Sequence, residues 1–121
     1  GFLSGRVHAS DTYGGDDVRR VITRFEPQNL RANQPIIDLI SGLAADRNAT
    51  PAQVSLAWML TKEEFISPIP GSRSKARIKE NLGAAQIRLA QQKFAALEAA
   101  LDKIVIHGNR TDADISKLTQ D

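Results

Sequence analysis

The sequence has no cysteine, which excludes a disulfide framework, a thiolate metal site and a cysteine nucleophile. Histidine is nearly as scarce: His8 and His107 lie about a hundred residues apart with no carboxylate pattern around either, so no metal site is expected. Proline (5) and glycine (8) are too few for a disordered or collagen-like chain, and no apolar run has the length of a membrane span. Charge of one sign is lacking too, with 16 Lys and Arg against 14 Asp and Glu. The sequence pI of 9.2 follows from how little titrates between pH 7 and that value, not from a basic surface. Nothing near Gly1 reads as a signal peptide, so a cytoplasmic location is expected. The sequons Asn48-Ala49-Thr50 and Asn109-Arg110-Thr111 are discounted as chance matches. What remains, 121 residues with 41% apolar and 25% charged, is the composition of a globular piece.

Residues 5 to 33 have no sustained periodicity and read as a long surface loop with one short helical turn around Asp17 to Phe25. Behind Asn33 as an N-cap, Ile36, Ile37, Ile40, Leu43 and Ala44 predict a helix over 35 to 47, which Asn48 can end in a left-handed conformation. Thr50-Pro51-Ala52-Gln53 combines a capping residue, proline at the first helical position and glutamine at the third, so a helix over 51 to 62 follows. Its apolar residues, Trp58 among them, cover most of its circumference and predict burial on several sides. Phe65 to Ile69 reads as a brief buried strand, although Pro68 is awkward in a central ladder. Helices over 74 to 83 and 91 to 104 complete the chain, and the tail from Asn109 is polar. A buried helix and a strand without a partner together imply that more protein surrounds these residues.

The densest local chemistry runs from Ile69 to Asn81, a strand end, a glycine turn at Gly71 and Ser72, and a helix start. The free N–H groups and positive dipole end of such a helix favour an anion, glycine permits close backbone approach, and Arg73 and Lys75 add charge. Arg73, Arg77, Glu80 and Asn81 fall at i, i+4, i+7 and i+8, one helical face. A phosphate near the arginines could carry a purine whose edge meets Glu80 and Asn81, one accepting from an exocyclic amine and the other pairing donor with acceptor. The commoner use of such a pattern is a solvated face with an Arg77–Glu80 ion pair worth under about 1 kcal/mol. Tyr13, in Asp11-Thr12-Tyr13-Gly14, reads as a loop tyrosine because no lysine is placed to lower its pKa.

Four segments in order, Gly1-Phe2-Leu3-Ser4-Gly5-Arg6, Thr50 to Trp58, Pro68 to Arg73, and Arg77-Ile78-Lys79-Glu80-Asn81-Leu82-Gly83-Ala84, resemble the aldo/keto reductase family. The resemblance implies an α/β fold, the C-terminal part of a (β/α)8 TIM barrel, mostly helical here with Phe65 to Ile69 as the final strand. Residues 1–110 would belong to that barrel, incomplete alone, and 111–121 to a polar tail. It further implies an NADPH-dependent oxidoreductase that reduces a small carbonyl substrate, an aldehyde or ketone, by hydride transfer. Ser72 and Arg73 match positions near the cofactor's 2′-phosphate, Arg77 the residue that contacts it or stacks on adenine, and Glu80 and Asn81 the pair that reads the adenine edge. Gly71 matches the turn, and Arg6 a basic position in the loop that folds over the cofactor. The family's catalytic Tyr, Lys, Asp and His have no counterparts in these residues, so the chain alone is expected to be inactive and to need the remaining half of the barrel. Ala90 stands where a Ser or Thr cap is usual.

Other classes share these features. A regulatory barrel subunit of the potassium-channel beta type binds the same cofactor and acts through a partner protein. A basic helical module built on Arg73, Lys75, Arg77 and Lys79 would bind nucleic acid with steep salt dependence, and is the least favoured of the three.

Overall fold

The structure, a computed structural model, describes residues 1–111. The sequence signals place four of its five α-helices. Helix α1 (Pro27–Ala32) is the one they miss, and it lies in the stretch expected to be loop. Six residues with Leu30 alone buried are too few for periodicity to register, and only Pro27 at the helix start hints at it. Helix α2 (Gln34–Ala45) buries Ile36, Ile37, Ile40 and Ala44 along one face, and Asn48 follows it at φ 51°. Helix α3 (Pro51–Lys62) opens on the full capping box: the Thr50 side chain accepts from the Gln53 N–H and the Gln53 side chain accepts from the Thr50 N–H. Two further helices follow, α4 (Lys75–Gly83) and α5 (Gln91–Leu101), the latter with Ala90 at its cap position and no capping side chain.

Helices α2 and α3 pack together over Ile36, Ile40, Ala44 and Val54, with Leu101 and Ile104 closing one side. The short turn Phe2–Ser4 lies against both helices. Two more such turns, Val18–Arg20 and Thr23–Phe25, answer the expectation of a helical turn around Asp17 to Phe25. Only Val54 and Ala57 of α3 are buried, while Leu60 is exposed, so the all-round burial expected of this helix is not achieved within the described residues. The uncovered apolar surface lines a cavity of about 790 Å3 bordered by Phe2, Ile40, Trp58 and Leu101 and a groove of about 290 Å3 between Leu56, Leu60, Ile78 and Leu82.

The expected strand over Phe65 to Ile69 is not formed, and no strand occurs among the described residues. Phe65 is 84% and Ile69 94% exposed, the reverse of a buried strand. A strand is held by a ladder to a neighbour. None is available to this segment among the described residues, and Pro68 within it and Pro70 just after it have no N–H to donate to one. No helix of the described residues is long and apolar enough to cross a membrane.

Asn33 occupies the N-cap position of α2 but makes no capping bond. Its buried amide instead clamps a distant peptide, donating to the His107 carbonyl and accepting from the His107 N–H, both at 2.8 Å. Beside it the Asn109 carbonyl accepts from the Arg24 N–H at 3.0 Å, and the Thr23 hydroxyl accepts from the Asn109 N–H at 2.7 Å. Residues 107–111 thus form a strap across the loop that precedes α1. The remainder of the tail, 112–121, lies outside the described residues.

Trp58 is half-buried and donates its indole N–H to Glu98 of α5, whose other carboxylate oxygen meets Lys62 at 3.0 Å. The hydrogen bonds from Lys62 and then from Trp58 hold the Glu98 carboxyl below its ordinary value of 4.5. A carboxylate whose folded pKa is depressed stabilises the fold above its ordinary value and loses that contribution as pH falls through the lower, folded one. An acid titration of the Trp58 indole N–H resonance should therefore show its midpoint below 4.5, and Glu98→Gln should remove the step. A midpoint at or above 4.5 would refute the tie.

Candidate functional site

Helix α4 begins at Lys75, two residues after the Arg73 from which the spacing counts. Ser74 is the N-cap, its hydroxyl accepting from the Arg77 N–H, while Ser72 and Ser74 form a local turn in which the Ser72 hydroxyl accepts from the Ser74 N–H and donates to the Ser74 carbonyl. Arg73 therefore stands before the helix and does not share its i, i+4 face. Arg77, Glu80 and Asn81, at i, i+3 and i+4, do. The Ser74 cap, preceding a charged helix by one residue, is the feature the sequence argument passed over.

Local bonding satisfies the N–H groups of Ser74 and Arg77, whereas among the described residues no acceptor meets those of Lys75 or Ala76. Two unpaired donors thus point out of the positive end of a nine-residue helix. Arg73 and Arg77 are exposed, and among the described residues neither has a carboxylate within ion-pair distance. The Arg77–Glu80 pair of the alternative reading is not made. Glu80 is held by Arg6, from 74 residues earlier in the chain, at 3.3 Å. The Arg6 side chain is 54% exposed and that of Glu80 19%, so this contact contributes under about 1 kcal/mol and is easily exchanged for another. Its value is positional, since it brings the Gly5–Arg6 turn over the same helix that carries Arg77.

Gly71 is exposed, has no positive φ, and a Cβ on it would meet nothing within 4 Å. The turn itself does not need glycine there, so any requirement comes from a ligand's close approach. Asn81 is half-buried at the edge of the 290 Å3 groove.

Tyr13 packs edge-on against Phe25. Arg19, held by Asp17, lies 4.3 Å from the centre of the Tyr13 ring, and burial followed by the charge of Asp11 raises the phenol pKa above 10.0. A raised pKa is the wrong direction for a proton donor working near neutrality. Among the described residues no group of three or more His, Asp or Glu side chains is placed to hold a metal ion.

Comparisons with known proteins bear on the family of the chain. The aldo-keto reductase yakc of Schizosaccharomyces pombe, whose name carries the designation NADP(+), is 33% identical over 110 residues, 91% of this chain and 32% of that protein. Aldo-keto reductase str7 of Strobilurus tenacellus is 32% identical over 110 residues, 91% of this chain and 33% of that protein. The chain thus spans about a third of the length of the curated relatives it matches. No solved structure matches it. The sequence model of the Aldo/keto reductase family covers residues 1–102, from the Phe2–Ser4 turn through α4 to the end of α5, and with that match the chain belongs to the aldo/keto reductase family.

Proposed function

We propose that this chain is the cofactor-holding part of an NADP-dependent oxidoreductase that reduces an aldehyde or ketone. The carrying observation is the open end of α4, where the unpaired N–H groups of Lys75 and Ala76 lie beside two exposed arginines without carboxylate partners among the described residues. That combination suits a phosphate, since helix-end donors and guanidinium forks both match its oxygens. A site with one or two arginines beyond the helix end can discriminate a cofactor with a 2′-phosphate from one without.

Bound NADPH would supply a hydride to the substrate carbonyl. The residues of this chain have a different task. Arg73 and Arg77 would neutralise the 2′-phosphate, with Ser72 giving up one bond of its local turn to join them. Gly71 would leave room for the ligand's approach, and Glu80 and Asn81 would accept and pair at the adenine edge. Arg6 would exchange Glu80 for a phosphate oxygen as the loop closes. No residue of the chain is proposed to take part in the chemical step. Family membership implies a (β/α)8 barrel, and a barrel of about 250 residues is roughly twice the length of this chain. We assign the exposed Phe65, Ile69 and Leu82 to contact with the remaining part of that barrel.

The test is calorimetry on the full-length protein with NADPH and NADH. Binding of NADPH at least about 10-fold tighter than NADH, about 1.4 kcal/mol, is expected. No binding of either would remove the cofactor reading, and equal affinities would remove the 2′-phosphate assignment.

A further inference from the structure

We infer that Gln53 is a positioning residue for the purine-reading face of α4. This rests on the cofactor reading above and adds to it a residue outside the site. Gln53 belongs to α3, yet its side chain works in two directions. Its carbonyl oxygen accepts from the Thr50 N–H at 3.0 Å as half of the capping box, and its amide nitrogen donates to the Glu80 carbonyl at 2.8 Å. The bond crosses 27 residues of sequence and ties the start of one helix to the middle of another. Glu80 is therefore held at both ends, its main chain by Gln53 and its carboxylate by Arg6. The second hold is exposed and exchangeable, whereas the first is partly buried and anchored by the cap.

Gly83 supports the same contact. A Cβ there would lie 2.6 Å from the Gln53 amide nitrogen, closer than side-chain atoms tolerate. A glutamine end is ordinarily flexible and would swing aside, but here swinging aside means releasing the Glu80 carbonyl. Two substitutions on different helices therefore converge on one hydrogen bond. The one on α3 separates the two roles of Gln53: Gln53→Glu keeps an acceptor for the Thr50 N–H, so α3 stays capped, and sets a carboxylate against the Glu80 carbonyl in place of a donor.

The consequence is registration of Glu80. Accepting from an exocyclic amine requires the carboxylate to lie within a few tenths of an ångström of its proper place, since hydrogen bonds weaken steeply with misalignment. The experiment uses the full-length protein and two probes, 2′,5′-ADP and its 1,N6-etheno derivative, in which the amine is blocked. The wild type should bind 2′,5′-ADP about 10-fold tighter than the etheno form, the equivalent of one good hydrogen bond to a charged group. Gln53→Glu and Gly83→Ala should each reduce that ratio to about 2 or less, with the affinity for the etheno form little changed. A helix weakened without loss of registration would lower both affinities together and leave the ratio intact, and that result would overturn the inference while leaving the cofactor reading in place. Failure of the wild type to bind either probe would overturn both.

Discussion

Arg77→Ala in the full-length protein is expected to raise the dissociation constant for NADPH by roughly 10- to 100-fold, and that for NADH by no more than about threefold. The magnitude is that of a charge-assisted hydrogen bond made without prior cost. Arg77 is exposed and meets no carboxylate among the described residues, so binding need not break an existing ion pair to use it. It also stands third in α4, where the helix end adds its own attraction for an anion. The fold should be indifferent to the change, because no residue of α4 is buried and Arg77 anchors nothing. Arg77→Lys should fall between, keeping the charge and losing the planar fork. Equal losses for the two cofactors would place Arg77 on a part they share and remove the reason for an NADP preference. Arg73→Ala should show the same selectivity with a smaller loss, since Arg73 precedes the helix and is not fixed on its face.

What the sequence disclosed and what it hid divide by range. Helices α2, α3, α4 and α5 were legible because their signals are local: an apolar face in α2, a capping box at Thr50, charged spacing in α4. The six residues of α1 offer only one buried side chain, too little for any period. The strand over Phe65 to Ile69 was misread for the opposite reason. Its β-branched and aromatic content is a real local signal, but a strand exists by virtue of a neighbour, and composition does not supply one. Arg73 shows how a single residue matters at a helix end, since the Ser72–Ser74 turn shifts the start and takes Arg73 off the face. The contacts that build the site were invisible locally: Arg6 to Glu80 spans 74 residues and Gln53 to Glu80 spans 27. Gln53 was visible as half of a cap, and nothing near it in sequence reveals that its other end holds α4. Only the resemblance connected Arg6 with α4, and it did so through a ligand instead of the direct contact.

Gly108→Ala should be the most destabilising single-methyl change in the described residues. Gly108 has φ +77°, a conformation that L side chains adopt at a cost, and a Cβ on it would lie 2.7 Å from the Cα and 2.8 Å from the backbone nitrogen of Arg24. These neighbours are backbone and cannot rotate away. Arg24 is itself fixed by the bond its N–H donates to the Asn109 carbonyl, and the Asn29 amide, also 2.8 Å from the Cβ, is fixed by donating to the Thr23 carbonyl. Relief therefore requires the strap to lift, which exposes the Asn33 amide that His107 satisfies on both sides. Backbone strain and a buried polar group left unpaired together cost about 3 kcal/mol. Gly15 provides the control, because it also has a positive φ, of 57°, but a Cβ there would meet nothing within 4 Å. Gly15→Ala should cost only the conformational part, about 1 kcal/mol. Denaturant unfolding of both variants measures the difference, and hydrogen exchange locates it: the Arg24 and Asn109 amides should lose protection in Gly108→Ala and keep it in Gly15→Ala. Equal destabilisation by the two would mean that only the backbone conformation matters and that the strap does not press on the Arg24 main chain. The expected gap between them instead ties the end of the described chain to the loop before α1, and through Asn33 to the start of α2.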